Sequence, residues 1–374
     1  MKKFLAVVLS LVLVFTVVAF AACGGGSNVG GNNFKTQDLE NEATRKEFVD
    51  TLAEKADVNK LIGNPAQEGW TFGLEEKVAS KLAFNLDMTP EDVTDTKLTA
   101  KGNVELTESA KVKLTSNGSK AAPDIAASFK LGAKGDADLS EGIYDVINSE
   151  LDESLGAIIK KLATKFNYSL NGYVDNDGAL VELSDSLYGN LPEDIQQRLG
   201  SKKIKLPLDA LDATSYAATT DGSDTQADAI KTYIDTVIVE WLVNFKISVS
   251  VATNNSGYAL KISANTESIV SLLDYVTYVL SDPEEADTYR EMVSKSITDA
   301  KFELIVRLDK DGGFSSIKSE TSLKLNLDVA IPDFLTVKGT MSVSGSVEIS
   351  KFSGKITKPG DADYKLPAFM AEEE

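Results

Sequence analysis

The sequence predicts an α+β protein: one large curved antiparallel sheet, a half-barrel of about 10–11 strands, with amphipathic helices covering its open side. Three observations predict it. Segment after segment alternates apolar and polar residues at every second position, the period of a strand with one buried face. Most of these segments are joined by short runs rich in Asn, Asp and Gly, which suit tight antiparallel turns. Three stretches switch to a 3.6-residue apolar period and supply the covering helices. A sheet with that many strands does not stay flat, because strand twist accumulates into curvature.

Residues 37–66 read as an N-terminal helical region. Leu39, Ala43, Phe48, Val49, Leu52 and Leu61 recur at helical spacing, and Gly63-Asn64-Pro65 ends the run. The sheet with its helices then occupies 67–355. Segments 79–88 and 124–134 read as strands, and between them Val104, Leu106, Val112 and Leu114 alternate with polar neighbours. Residues 141–164 form a helix with Ile143, Val146, Ile147, Leu151, Leu155, Ile158, Ile159 and Leu162 on one face, capped by Ser140. Strands 166–170 and 179–183 flank the hairpin turn Asp175-Asn176-Asp177-Gly178. A short helix at 186–199 and a Ser/Thr/Asp/Gly-rich loop at 200–226 follow, then a helix from near Thr225 toward Trp241.

The clearest strand pattern begins at Val243 and runs through Phe245, Ile247, Val249 and Val251, all on one face. Asn254-Asn255-Ser256-Gly257 turns the chain into Leu260, Ile262 and Ala264. Helix 266–281, capped by Asn265 or Thr266, buries Ile269, Val270, Leu272, Leu273, Val276 and Leu280; Pro283 breaks it, and a further helix is expected over 284–298. Phe302, Leu304, Val306 and Leu308 share a strand face, and Asp309-Lys310-Asp311-Gly312-Gly313 makes the next turn. Leu323, Leu325 and Leu327 share a face of the following strand. The last strand alternates from Leu335 to Ile349, with Gly339 and Gly345 in its inward phase, where glycine permits sharp bending. At about 3.4 Å per residue that strand spans about 50 Å. Residues 356–374 read as a tail.

The amino terminus carries a different signal. Lys2 and Lys3 precede the uncharged apolar run Phe4 to Ala22, which ends Phe20-Ala21-Ala22-Cys23. Basic start, apolar run and small residues are the parts of a secretory signal. The run is also long enough, about 19 residues, for a single membrane span. The ending resembles the lipobox of bacterial lipoproteins, with Phe20 where that family usually has Leu. The resemblance implies cleavage after residue 22, diacylation of Cys23 and an extracytoplasmic protein held to the bacterial membrane by its lipid, facing the cell surface or the periplasm. Residues 23–36, GGGSNVGGNN among them, then serve as a flexible tether. Acyl chains anchor by apolar burial and need no basic patch. Gly24 is not an inner-membrane retention residue of the Asp type.

Composition narrows the chemistry. Across 374 residues the formal charge is -19, and such an acidic body repels phosphate backbones, so no nucleic-acid partner is expected. There is no histidine, which removes the usual general base and metal ligand; one cysteine allows neither an intrachain disulfide nor a Cys-based zinc site. Asp175-Asn176-Asp177-Gly178 and Asp309-Lys310-Asp311-Gly312 look like fragments of calcium loops, but both lie between alternating segments where Asp and Gly are wanted for turns. The carboxylate pairs Glu284-Glu285 and Asp152-Glu153 fall on polar helix faces. The expectation is therefore a non-enzyme without cofactor or metal.

The order strands, helix, strands, helices, strands, behind a lipobox, resembles the bacterial lipid-carrier superfamily that includes LolA and the LppX/LprG-like lipoproteins. Over about 70–350 the resemblance implies a half-barrel with helices plugging a hydrophobic cavity. Phe245, Val249, Leu304, Val306, Leu325, Met341 and Val343 are then the candidates to line it. The same inward positions equally suit a dry, filled core. Two functions stay open: a lipoprotein that binds or carries a lipid or other hydrophobic ligand, and a structural or interaction lipoprotein of the cell envelope with a protein partner.

Overall fold

Twelve strands hydrogen-bond into one open antiparallel sheet in this computed structural model, which describes residues 34–55, 58–64, 67–90, 98–116, 124–143, 165–207, 231–255, 257–280, 294–331 and 335–371. The signal-like run, Cys23, most of the expected helices at 141–164 and 284–298, and most of the loop 200–226 lie outside the described residues. The strands are β1 (Lys35–Thr36), β2 (Thr71–Pro90), β3 (Leu98–Thr115), β4 (Asp124–Leu139), β5 (Phe166–Asp175), β6 (Gly178–Leu183), β7 (Lys203–Pro207), β8 (Ser248–Asn254), β9 (Gly257–Ala264), β10 (Ile297–Leu308), β11 (Phe314–Ile331) and β12 (Leu335–Lys351). Two exceed the expected pattern. β1 lies inside the stretch read as tether, and β7 inside the stretch read as loop.

The spatial order is β1-β8-β9-β10-β11-β12-β2-β3-β4-β5-β6-β7. The chain therefore makes two meanders, β2–β7 and β8–β12, which meet side by side where β12 pairs β2 from Leu335↔Pro90 to Lys351↔Leu74. Register assigns each residue to a face. Leu327, Gly339 and Leu86 lie in one row across β11, β12 and β2; Leu323, Val343, Leu82 and Val104 form another that extends to β3. These rows make the apolar face. The rows between them make a polar face laced with cross-strand ion pairs. Glu105 on β3 takes Lys81 from β2 at 2.8 Å and Lys134 from β4 at 2.7 Å; Lys261 on β9 meets Glu303 on β10 at 2.6 Å; Lys318 on β11 meets Glu348 on β12 at 3.2 Å.

Gly339 explains one local feature of the seam. Its φ is +146°, and an added Cβ would sit 2.1 Å from the Asn85 carbonyl oxygen, so only glycine lets β12 pass β2 there. Gly345 has no such φ.

The N-terminal helical region divides into α1 (Glu42–Lys55) and α2 (Val58–Ile62). Asn41 caps α1, its Oδ1 accepting from the Thr44 amide at 3.1 Å. α3 (Asp185–Asn190) and α4 (Glu193–Leu199) replace the single short helix expected over 186–199. The next helix ends in a π-helical segment, Ile234–Val239, running into α5 (Glu240–Asn244). It extends past Trp241, so Val243 and Phe245 are not in a strand; β8 starts only at Ser248. Apolar alternation over 243–247 misled because Val243 and Phe245 pack at a helix end, where every second residue also happens to be apolar. In α6 (Thr266–Leu280) Asn265 is the cap, accepting from Ser268 at 3.0 Å, while the Thr266 hydroxyl accepts from the Ala300 amide at 2.9 Å. Ile297, read as helical, opens β10 instead. Among the described residues no helix is long and apolar enough to cross a membrane.

Two apolar clusters hold helices to the sheet. The first joins Phe48 and Val49 of α1, Ile234, Val239 and Leu242, and the inner faces of β8–β10 through Val249, Tyr258, Leu260 and Leu308. The second joins Leu273 of α6 to Ile297, Ala300, Leu323, Leu325, Leu327 and Val343. Around Tyr173 and Leu180 the sheet is buried on both faces, contrary to the one-sided burial expected of nearly every strand. Tyr173 and Leu180 point to the polar face yet are buried beside the C-terminal tail. The tail pairs with β7 through Lys205 N–H to Lys365 O at 2.8 Å and Lys365 N–H to Lys203 O at 3.1 Å, which removes an open edge. α7 (Ala368–Ala371) ends the described chain.

Candidate functional site

The seven residues expected to line one cavity are divided between packed places. Val249 is 1% exposed in the first cluster, with Val306 packed against it. Leu325 and Val343 are buried in the second, with Met341 packed against them. Leu304 is half-buried on β10, opposite Ile262 and Ser319. Phe245 lies just after α5, buried edge-on against Trp241 at 5.1 Å and Tyr275 at 5.6 Å. The structure thus brings Leu325, Met341 and Val343 together in one apolar cluster and Val249 with Val306 in the other, and Leu325 and Met341 also border a groove of about 380 Å³.

Among the described residues, exposed side chains on the apolar face lie elsewhere, over β3 and β4. Leu106 is 51% exposed, Leu131 40%, Ile125 38% and Val112 36%. All four occupy the same phase as the buried leucines of β11. The register that carries Leu323 to Val343, Leu82 and Val104 puts Leu106 and Val112 on that face of β3, and pairs Val112 with Ala127 and Leu114 with Ile125 on β4. These side chains form an apolar trough.

The floor of the trough has a recurring construction. Phe84 on β2 pairs Gly102 on β3, Gly135 on β4 pairs Phe166 on β5, and Phe129 on β4 pairs Gly172 on β5. In each pair the ring occupies the space above the glycine. A Cβ built on Gly172 would fall 2.0 Å from the Phe129 ring, one on Gly102 2.9 Å from Phe84, and one on Gly135 3.0 Å from Phe166. Aromatic rings laid across inward glycines cover the exposed backbone and keep the floor low, where upright side chains would fill it.

Two carboxylates stand in the same phase. Glu76 on β2 pairs Ala110, and Glu108 on β3 pairs Val78, so the two are diagonal neighbours. Burial, with the Glu108 charge added, raises the Glu76 carboxyl above its ordinary range. On the polar face lie two surface grooves. One of about 380 Å³ is lined by Asn85, Lys101, Asn103, Asn326, Thr340 and others, and one of about 480 Å³ by Glu105, Lys134, Asp136, Asn167 and others. The first groove is also bordered by the floor pair Phe84 and Gly102, and the second by Gly135 and Phe166.

The two calcium-like stretches are turns. Asp175 accepts from the Asp177 amide at 2.9 Å and is bridged, with Asp177, by Lys358. Asp309 accepts from the amides of Asp311 at 3.0 Å and Gly313 at 2.8 Å. Among the described residues no three Asp, Glu, His or Cys side chains cluster to hold a metal ion. The trough's chemistry is apolar contact, with one acidic spot.

Glu76, Leu131 and the three phenylalanine–glycine pairs escaped the sequence reading. Leu106 and Val112 were legible as strand residues, but nothing in the local pattern separates a covered from an uncovered inner face. The phenylalanine–glycine pairs exist only once the cross-strand register is known.

No protein-family model matches the chain, and no curated protein matches it. Among solved structures it is similar to a beta-barrel-like protein of a domain of unknown function from Brucella abortus, at 10% identity and a TM-score of 0.15, over 74% of this chain and 99% of that one. It is also similar to the toluene transporter TodX of P. putida, at 6% identity and a TM-score of 0.12, over 79% of this chain and 94% of that one. At those scores neither likeness bears on fold or function.

Proposed function

We propose that the chain is an extracytoplasmic lipoprotein, anchored through a diacylated Cys23, that binds or carries a lipid or another ligand with a long apolar chain on the trough over β2–β5. The single observation that carries this reading is the exposure of Leu106, Val112, Ile125 and Leu131 on the apolar face of the sheet. Leaving such side chains in water forfeits about 25 cal/mol per Å² that a bound acyl chain recovers. The phenylalanine–glycine floor supports it, because a low apolar floor leaves room for a chain to lie across the strands. An open sheet with described helices packed on it supports a half-barrel of the LolA or LppX/LprG-like kind. The role is binding without catalysis, resident cofactor or metal, and nucleic acid is not a partner.

The test is titration of a fluorescent fatty acid into the detergent-extracted lipoprotein. The reading predicts saturable binding that Leu106→Asp together with Leu131→Asp weakens at least tenfold, with unchanged circular dichroism. Equal binding by both proteins contradicts it. A second reading, a structural or interaction lipoprotein of the envelope, is favoured by the filled clusters around Val249 and Leu325. It predicts that crosslinking in cells recovers a protein partner lying over the trough and that no lipid does.

A further inference from the structure

A second exposed apolar surface lies away from the trough. Tyr233, Val237 and Trp241 follow one another at i, i+4 and i+8 along the helix that ends in α5, and are 59%, 39% and 46% exposed. Tyr275 of α6, 48% exposed, stands edge-on to Trp241 with ring centroids 6.1 Å apart, and Phe245 lies beneath both. The opposite side of the same helix is the packed one, through Ile234, Val239 and Leu242. Two Tyr, one Trp and a Val thus form a ridge with no core role.

Lys231, Asp235 and Glu240 of this helix and Glu267 of α6 are drawn into ion pairs, while Asp274 of α6 adds a further carboxylate beside Tyr275. Asp235 and Glu240 both turn to Arg45 of α1, at 2.5 and 2.8 Å. Asp50 takes Lys231 at 2.7 Å and Lys46 at 2.6 Å, and Lys246 pairs with Glu267. Arg45, Lys46, Lys231 and Lys246 thus offset Asp50, Asp235, Glu240 and Glu267, so these paired charges balance although the chain as a whole carries -19.

The third observation is where the anchor enters. β1 pairs β8, and the Gln37 amide donates to the Val249 carbonyl at 2.8 Å, four residues beyond Phe245. Phe34, just before β1, therefore lies within about seven residues of strand rise of the ridge, about 24 Å. The eleven chain steps from Cys23 to Phe34 reach up to about 37 Å. Tyr and Trp are the side chains that settle at the boundary between headgroups and acyl chains, with an apolar body and a polar edge.

We infer that the Tyr233–Val237–Trp241–Tyr275 ridge docks the body against the bilayer that holds its lipid anchor, seating Trp241 at the headgroup boundary. The inference rests on lipidation of Cys23. Docking would hold the body in one orientation on the membrane, where a flexible tether alone leaves it free to rotate.

The experiment reconstitutes the full lipidated chain into phosphatidylcholine vesicles carrying acyl chains brominated near the headgroup, and compares tryptophan emission with that of Trp241→Phe. The chain has two tryptophans, Trp70 and Trp241. The expected result is a blue shift and loss of about half the emission in the native chain, with that quenching absent from Trp241→Phe. A second variant, Tyr275→Ser, keeps Trp241 and lowers the quenching about twofold. Equal quenching of native and Trp241→Phe chains, no quenching of either, or shielding of Trp241 by a co-purifying protein overturns the inference. The intact mass of the same sample reads the diacylglyceryl group on Cys23. A lipidated chain with an unquenched Trp241 sinks docking alone, whereas an unlipidated chain sinks the anchor and docking together.

Discussion

Glu76 and Tyr258 each hold a polar group in a buried setting, and substitution of the first depends on pH while substitution of the second does not. The Glu76 carboxyl lies above its ordinary value of 4.5 because of burial first and the Glu108 charge second. A raised carboxyl pKa means the folded state favours the protonated form, so its charge destabilises the fold at neutral pH and the penalty lifts as pH falls through the raised value. Glu76→Gln should therefore raise Tm at pH 7 and have no effect near pH 4, as calorimetry at the two pH values reads. Tyr258 is 8% exposed, and its hydroxyl, buried in the first cluster, has no hydrogen-bond partner among the described residues. Burial pushes that hydroxyl up to about 12, so it stays protonated. Removing an unsatisfied hydroxyl without changing the ring should stabilise, and Tyr258→Phe is expected to gain about 1 kcal/mol in urea unfolding at any pH from 5 to 9. In the trough floor, Gly172→Ala forces the Phe129 ring to lift. The ring tip can swing, so the stability loss should be about 1 kcal/mol, with a larger loss in fatty-acid affinity.

Among the elements, what was legible in the sequence was what local pattern encodes. The long inward rows, Leu323 to Leu327 on β11 and Val337 to Val347 on β12, follow from alternation alone, as do the Asp-Gly turns at Gly178 and Gly312. What was not legible depended on other elements. β7 has only five residues, and its edge is completed by Lys365, more than 150 positions later. The switch from α5 to β8 near Phe245 is a packing outcome, settled by contacts with Trp241 and Tyr275. The trough was invisible for the same reason, because exposure on an inner face depends on where helices stop. The polar face, by contrast, has a pattern with a measurable consequence. Lys134 first and Lys81 second hold the Glu105 carboxyl at about 2, against its ordinary 4.5. A depressed carboxylate stabilises the fold above the unfolded value and loses that contribution as pH falls from about 4.5 toward about 2. Tm should fall across that window, and Glu105→Gln should reduce the slope there.

For the whole molecule, the decisive junction is the β12–β2 seam, which joins residues near 74–90 to residues near 335–351. It welds two meanders that each have mostly local turns into one sheet, and it carries the longest sequence separation between long strands. Folding should wait on that pairing, with refolding in the range of seconds and not milliseconds. Gly339 sits in the seam at positive φ with the Asn85 carbonyl at 2.1 Å from any Cβ, and backbone cannot swing aside as a ring tip does. Gly339→Ala should cost about 3 kcal/mol in denaturant unfolding. The same seam supports the trough, since β2 carries Phe84 beside Gly102 and joins β3 to the half of the sheet that holds both apolar clusters.

The central claim is that the apolar face over β3 and β4 is a seat for a ligand and not an unfinished core. Native mass spectrometry of the gently extracted, full-length lipoprotein tests it most directly. The account predicts a bound apolar ligand on the native protein, with a mass additional to the covalent anchor, and its loss in the Leu106→Asp, Leu131→Asp chain. A native protein that carries only its covalent lipid, indistinguishable in ligand content from the double variant, contradicts it.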